Sequence, residues 1–115
     1  MAVWCSYTHS MGLASNSQVL HVLSAVPLAL PSDPDERSRL LALRMRKGDP
    51  STLAEIVRDL TWHQRKGLAN TKDLRLLRQA TVALSAKLAA YKGMEPARAR
   101  GRIREVVERT VSLFI

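Results

Sequence analysis

The run from Gly48 to Leu68, GDPSTLAEIVRDLTWHQRKGL, commits this stretch to one helix and marks both of its ends. Asp49 can act as the N-cap, and Pro50 follows at the first helical position, where a missing N–H forfeits no intrahelical bond. Leu53, Ile56, Val57 and Leu60 recur at i, i+3, i+4 and i+7, which lines them up as one apolar stripe and leaves Glu55 and Asp59 expected on the outer side. Gly67 supplies a left-handed stop. Leu68 is then expected to fold back on Trp62, the apolar contact that accompanies many glycine caps.

The same punctuation recurs along the chain. Ser15 and Gln18 form an S-x-x-Q capping box ahead of Val19, Leu20, Val22, Leu23 and Val26, which predicts a short first helix over about 16–26, closed by Pro27 and Pro31. Asp33, Pro34 and Glu36 provide a cap, a first-turn proline and a D-x-x-E box for a second helix ending at Gly48, with Arg46 and Lys47 in its last turn. Asn70 and Asp73 open a long helix to about Lys92, along which Leu74, Leu77, Thr81, Leu84 and Leu88 trace one face before Gly93. A last helix starts at Pro96 and carries Ile103, Val106, Val107 and Val111 at helical spacing. Gly101 weakens it by about 1 kcal/mol relative to alanine. No strand pattern persists past the first residues, so the expected fold is all-α, a compact bundle of about five helices preceded by a short non-helical segment. With five aromatic residues in 115, its core must be aliphatic.

Charge narrows the class of partner. The formal net charge is +8 and all 18 Lys and Arg residues lie at or beyond Arg37, which favours an anionic partner, with nucleic acid the usual one and acidic lipid or plain solubility as alternatives. A single cysteine, Cys5, excludes an internal disulfide, and a reducing cytoplasm is the expected compartment. The apolar run Val19 to Leu30 lacks a basic leader, is interrupted by Pro27 and is too short to span a bilayer, so it reads as a buried helix and turn rather than a secretory signal, and no membrane association is expected.

The Gly48-Asp49 step, the Ala54–Leu60 run AEIVRDL, Gly67-Leu68, the long helix from Asn70, the final helix after Met94, and the lead-in LPSDPDERSRLLALRMRKGD from Leu30 to Asp49 resemble the C-terminal domain of the CarD/CdnL family. These are bacterial transcription regulators that bind RNA polymerase and promoter DNA. The resemblance covers residues 12–110 and implies a helical domain over 15–115. Residues 1–14, with Ala2-Val3-Trp4-Cys5 and His9 to Leu13, look like the last strand and exit of the family's polymerase-binding N-terminal domain, a remnant or linker. As an unpaired edge, residues 1–13 would support weak self-association.

The resemblance also implies where DNA would be met. At the start of the second helix the family places a tryptophan that wedges into the minor groove and unstacks a base step; that position here is Pro34. Proline is itself a wedge residue in minor-groove proteins, but the first-turn role is the preferred reading of Pro34. Arg37 and Arg39 match basic family positions, Arg44, Arg46 and Lys47 extend positive charge along the same helix, and Lys72 and Arg75 fall in a region basic in the family. Each of these seven can neutralise a phosphate, which positions a protein without reading sequence, or can be a solvated surface residue. Arg98, Arg100, Arg102 and Arg104 spread over two faces and are offset by Glu105 and Glu108, which ranks them lower.

Other conspicuous residues have structural readings. Trp62 is expected to pack at the helix cap, with Arg58 stacked on its face, and Arg58 with Asp59 to form a structural ion pair. His9, His21 and His63 share no metal or triad spacing, His21 reads as a core histidine, and there is no glycine-rich phosphate loop, so neither catalysis nor a cofactor is expected. The function these readings favour is non-specific promoter-DNA binding by a transcription regulator through a basic helical surface. The alternative is a helical protein-interaction module without DNA binding.

Overall fold

The computed structural model describes residues 18–115. The remnant strand with its Trp4 and the Ser15 half of the first capping box fall outside the described residues, as does the proposed self-association through residues 1–13. Five helices follow one another: α1, described over 18–23, α2 (Pro34–Lys47), α3 (Pro50–Arg65), α4 (Thr71–Lys92) and α5 (Pro96–Ser112). There is no strand among the described residues.

The expected caps form. Asp33 accepts from the Glu36 N–H and Asp49 from the Thr52 N–H, each followed by the proline at the first helical position. At the end of α3 the Leu68 N–H reaches the His63 carbonyl and the Gly67 N–H the Gln64 carbonyl, a Schellman pair made possible by Gly67 at φ +76°. Leu68 itself is 57% exposed, and the cap is closed by these two backbone bonds. α1 stops earlier than its apolar pattern suggests. The Ser24 N–H and hydroxyl both bond the Leu20 carbonyl, and Pro27 disfavours helical backbone at Val26, which is left exposed.

α3 is the central element, packed against α2, α4 and α5, while α4 also packs along α5. Leu53, Ala54, Ile56, Val57 and Leu60 of α3 are buried against Leu41 of α2, Ala80, Leu84 and Leu88 of α4, and Ala99, Ile103, Val107 and Val111 of α5, with Val19 and Leu23 of α1 completing the core. Val106 lies at its margin. Two expectations for inner faces fail. His21 is exposed, because the buried line of α1 is Val19 and Leu23, and a residue two positions after Val19 points away from it. Leu74 is 37% exposed: ten residues before Leu84 it lies roughly 80° off the buried stripe at 100° per residue.

Candidate nucleic-acid interface

The first turns of α2 and α4 are locked together by a buried ion pair. The Arg37 Nε donates to Asp73 Oδ1 at 3.0 Å and its Nη2 to Oδ2 at 2.9 Å, a bidentate fork, while Nη1 donates to the carbonyls of Pro31 and Ser32. Asp73 simultaneously closes the α4 capping box: Oδ2 accepts from the Asn70 N–H, and the Asn70 side chain accepts from the Asp73 N–H. Burial works to raise the Asp73 pKa, but the Arg37 hydrogen bonds, the Asn70 N–H and the Arg37 charge together hold it below its ordinary 3.8. Arg37 is 3% exposed, with four of its five N–H donors committed inside the domain, so its role here is structural and its guanidinium is out of reach of an external phosphate.

Asp59 corrects a second expectation. It does not face outward but is 1% exposed, accepting from the Arg58 Nε at 2.8 Å and from the Leu28 N–H at 3.0 Å. The expected Arg58–Asp59 pair is thus present. Arg58 also reaches the Val22 carbonyl, so the pair ties the chain leaving α1 onto α3. Arg44 turns toward the same carboxylate, Nη1 to Oδ2 at 3.6 Å, and is only partly exposed. Its charge is largely used inside the domain.

The remaining cations of the expected set are free at the surface. Arg39, Arg46 and Lys47 of α2 and Lys72 and Arg75 of α4 are all exposed, and none lies within 4.0 Å of a carboxylate among the described residues. Arg39 lies in the first half of α2, two positions after the buried Arg37 and so turned about 200° away from it; Arg46 and Lys47 occupy the C-terminal end of α2, and Lys72 lies in the first turn of α4. Pro34 is exposed on the rim of a depression of about 270 Å³ shared with Lys66, Leu68 and Asn70. The wedge position therefore adjoins the α4 N-terminus, although a proline there presents a small apolar surface.

Trp62 is not stacked on Arg58. The Lys66 ammonium lies 3.6 Å from its ring centroid, one turn along the helix, and its Nε1 donates to the Phe114 carbonyl at 3.2 Å, so it joins α3 to the C-terminal end of α5. His63, which spacing left unassigned, is 4% exposed and lines the Pro34 depression, with Nε2 buried and unpaired among the described residues. Burial and then the neighbouring Arg37 charge push its pKa below the ordinary 6.5. Its position was readable, since Ile56, Leu60 and His63 continue one stripe at i, i+4 and i+7. Among the described residues no cluster of His, Cys, Asp and Glu could hold a metal ion, and no helix is long and apolar enough to cross a membrane.

The family model for CarD, C-terminal domain, matches residues 18–104. The chain belongs to the CarD family. No curated protein matches it. The matched span takes in α1 to α4 and the first half of α5, so the buried Arg37–Asp73 fork, the Arg58–Asp59 pair and the surface cations all lie inside the CarD domain. Membership points to a transcription-related role.

Proposed function

We propose that this CarD domain is the DNA-contacting part of a bacterial transcription regulator, binding duplex promoter DNA weakly and without sequence preference. The observation that carries the reading is the set of five exposed cations, Arg39, Arg46, Lys47, Lys72 and Arg75, none of them paired with a carboxylate among the described residues. Exposed unpaired guanidinium and ammonium groups release condensed counterions when they meet phosphates, and this term supplies most non-specific affinity. Pro34, on the rim beside the α4 N-terminus, is the site at which an apolar side chain would enter a base step. RNA polymerase, the general partner of CarD-type regulators, would supply promoter targeting, and the protein would act in the cytoplasm.

Titration of a labelled duplex at several salt concentrations tests this. Five phosphate contacts would give a slope of log K against log salt approaching about −4.5, and affinities near 10⁻⁴ to 10⁻⁶ M at physiological salt are typical of such contacts. Arg39→Glu with Lys72→Glu should lower affinity equally for unrelated sequences and flatten the slope. An unchanged slope in that variant would remove this surface from the interface.

A further inference from the structure

On the side of the domain formed by α4 and α5 lies a second groove, of about 580 Å³, whose lining is unlike that of the surface just described. From α4 it receives Leu74, Arg78 and Val82 at i, i+4 and i+8, and from α5 it receives Arg100 and Arg104 at i and i+4. Leu74 and Val82 are 37% and 50% exposed on either side of Arg78 along α4, so apolar surface is left open to solvent facing the Arg100 and Arg104 guanidinium groups across the groove. Arg78, Arg100 and Arg104 are exposed and make no ion pair among the described residues. Glu108, the carboxylate lining the groove, is already paired with Arg65.

We propose that this groove docks an acidic amphipathic helix of a protein partner. Charge complementarity selects the occupant: Arg100 and Arg104 are like charges one turn apart on one helix, an arrangement unfavourable until an anion lies between or across them. The apolar surface then distinguishes a peptide from a nucleic acid. A phosphate backbone would satisfy the arginines but leave Leu74 and Val82 uncovered, whereas a helix carrying Leu and Glu or Asp at helical spacing can cover these two side chains and meet the arginines of both walls at once. From Leu74 to Val82 the α4 wall runs about 12 Å at 1.5 Å per residue, which accommodates somewhat more than two turns of a bound helix. None of the five cations assigned to DNA lines this groove, so charge reversal at Arg100 and Arg104 leaves those cations in place.

The test uses the whole chain and three labelled synthetic peptides of about 15 residues, long enough to form helix on binding. One carries Leu and Glu at helical spacing, the second has the same composition with the leucines scattered, and the third replaces Glu by Lys. Fluorescence anisotropy should show the first binding at least about tenfold more tightly than either other, a difference of about 1.4 kcal/mol. Amide shifts in an ¹⁵N-labelled sample should map to Leu74, Val82 and the α5 arginines. Arg100→Glu with Arg104→Glu should weaken the first peptide by about tenfold or more, while Arg98→Glu with Arg102→Glu, which line a different depression beside Leu88 and Lys92, should leave it nearly unchanged. Circular dichroism confirms that these exposed replacements keep the fold. Equal affinity for the scattered isomer, insensitivity to the Arg100/Arg104 reversal, or displacement of the peptide by a duplex that shifts the same amides would each overturn the proposal.

Discussion

Arg37 of α2 and Asp73 of α4, 36 residues apart in sequence, meet in a bidentate ion pair that is nearly inaccessible to solvent. Asp73 serves that pair and the α4 capping box with the same carboxylate, so helix initiation and inter-helix docking depend on one side chain. The arrangement makes the start of α4 a fixed platform beneath Pro34, Lys66 and Asn70.

Removing one partner should therefore be costly. Arg37→Met strands a buried carboxylate, and a loss of about 3–5 kcal/mol is expected from broken buried pairs. Arg37→Met combined with Asp73→Leu should be less destabilised than Arg37→Met alone, because no buried charge is left over, although the cap contribution of about 1 kcal/mol is lost. Urea unfolding midpoints across this double-mutant cycle check it. An Arg37→Met protein as stable as the parent would show that the pair is open in solution.

Stability should fall on acidification in two stages. His63 has a folded pKa below 6.5, so below pH 6.5 the unfolded chain binds the proton first and stability declines until the folded value is passed. Asp73 and Asp49 have folded pKa values below 3.8, the latter chiefly through the Thr52 hydroxyl hydrogen bond. Their contribution is present above pH 3.8 and disappears as pH drops through those lower folded values. Thermal melts against pH should show both stages, and His63→Gln should abolish the upper one while leaving the acidic one.

Two glycines should respond in opposite directions. Gly101 lies inside α5 with open space around the site of a Cβ, so Gly101→Ala should stabilise by about 1 kcal/mol. Gly48 ends α2 at φ +65° with the Met45 carbonyl oxygen 3.5 Å from an added Cβ, so Gly48→Ala should destabilise by about 1 kcal/mol. Calorimetric melting temperatures distinguish the signs directly.

Pro34→Trp should restore a wedge. The residue is exposed at the first turn of α2, where a larger side chain meets solvent and the rim of the adjoining depression. Affinity should rise more for a forked duplex than for a fully paired one, since unstacking a base step costs about a few kcal/mol and the fork has already borne part of it. An equal gain on both duplexes would show that the tryptophan adds only surface contact and does not enter the stack.

The sequence by itself determined the helices from α2 onward, their caps and most of the core. Asp33, Asp49 and the Asn70–Asp73 box act on N–H groups three residues away, and the stripes through Leu53–Leu60 and Ile103–Val111 are read within about two turns, so the information is local. Tertiary structure alone decided what the polar residues on those stripes do. Arg37 lies one turn before Leu41 and Asp59 one position before Leu60, and each becomes buried because its partner arrives from elsewhere: Asp73 from α4 in one case, the Leu28 N–H in the other. A charged side chain enters the interior only where its hydrogen bonds and countercharge are met there, and that depends on contacts no window along the chain contains. The same reason hid the α4–α5 groove: Arg78, Arg100 and Arg104 are unremarkable in sequence and gain meaning only when two helices bring them to one cleft.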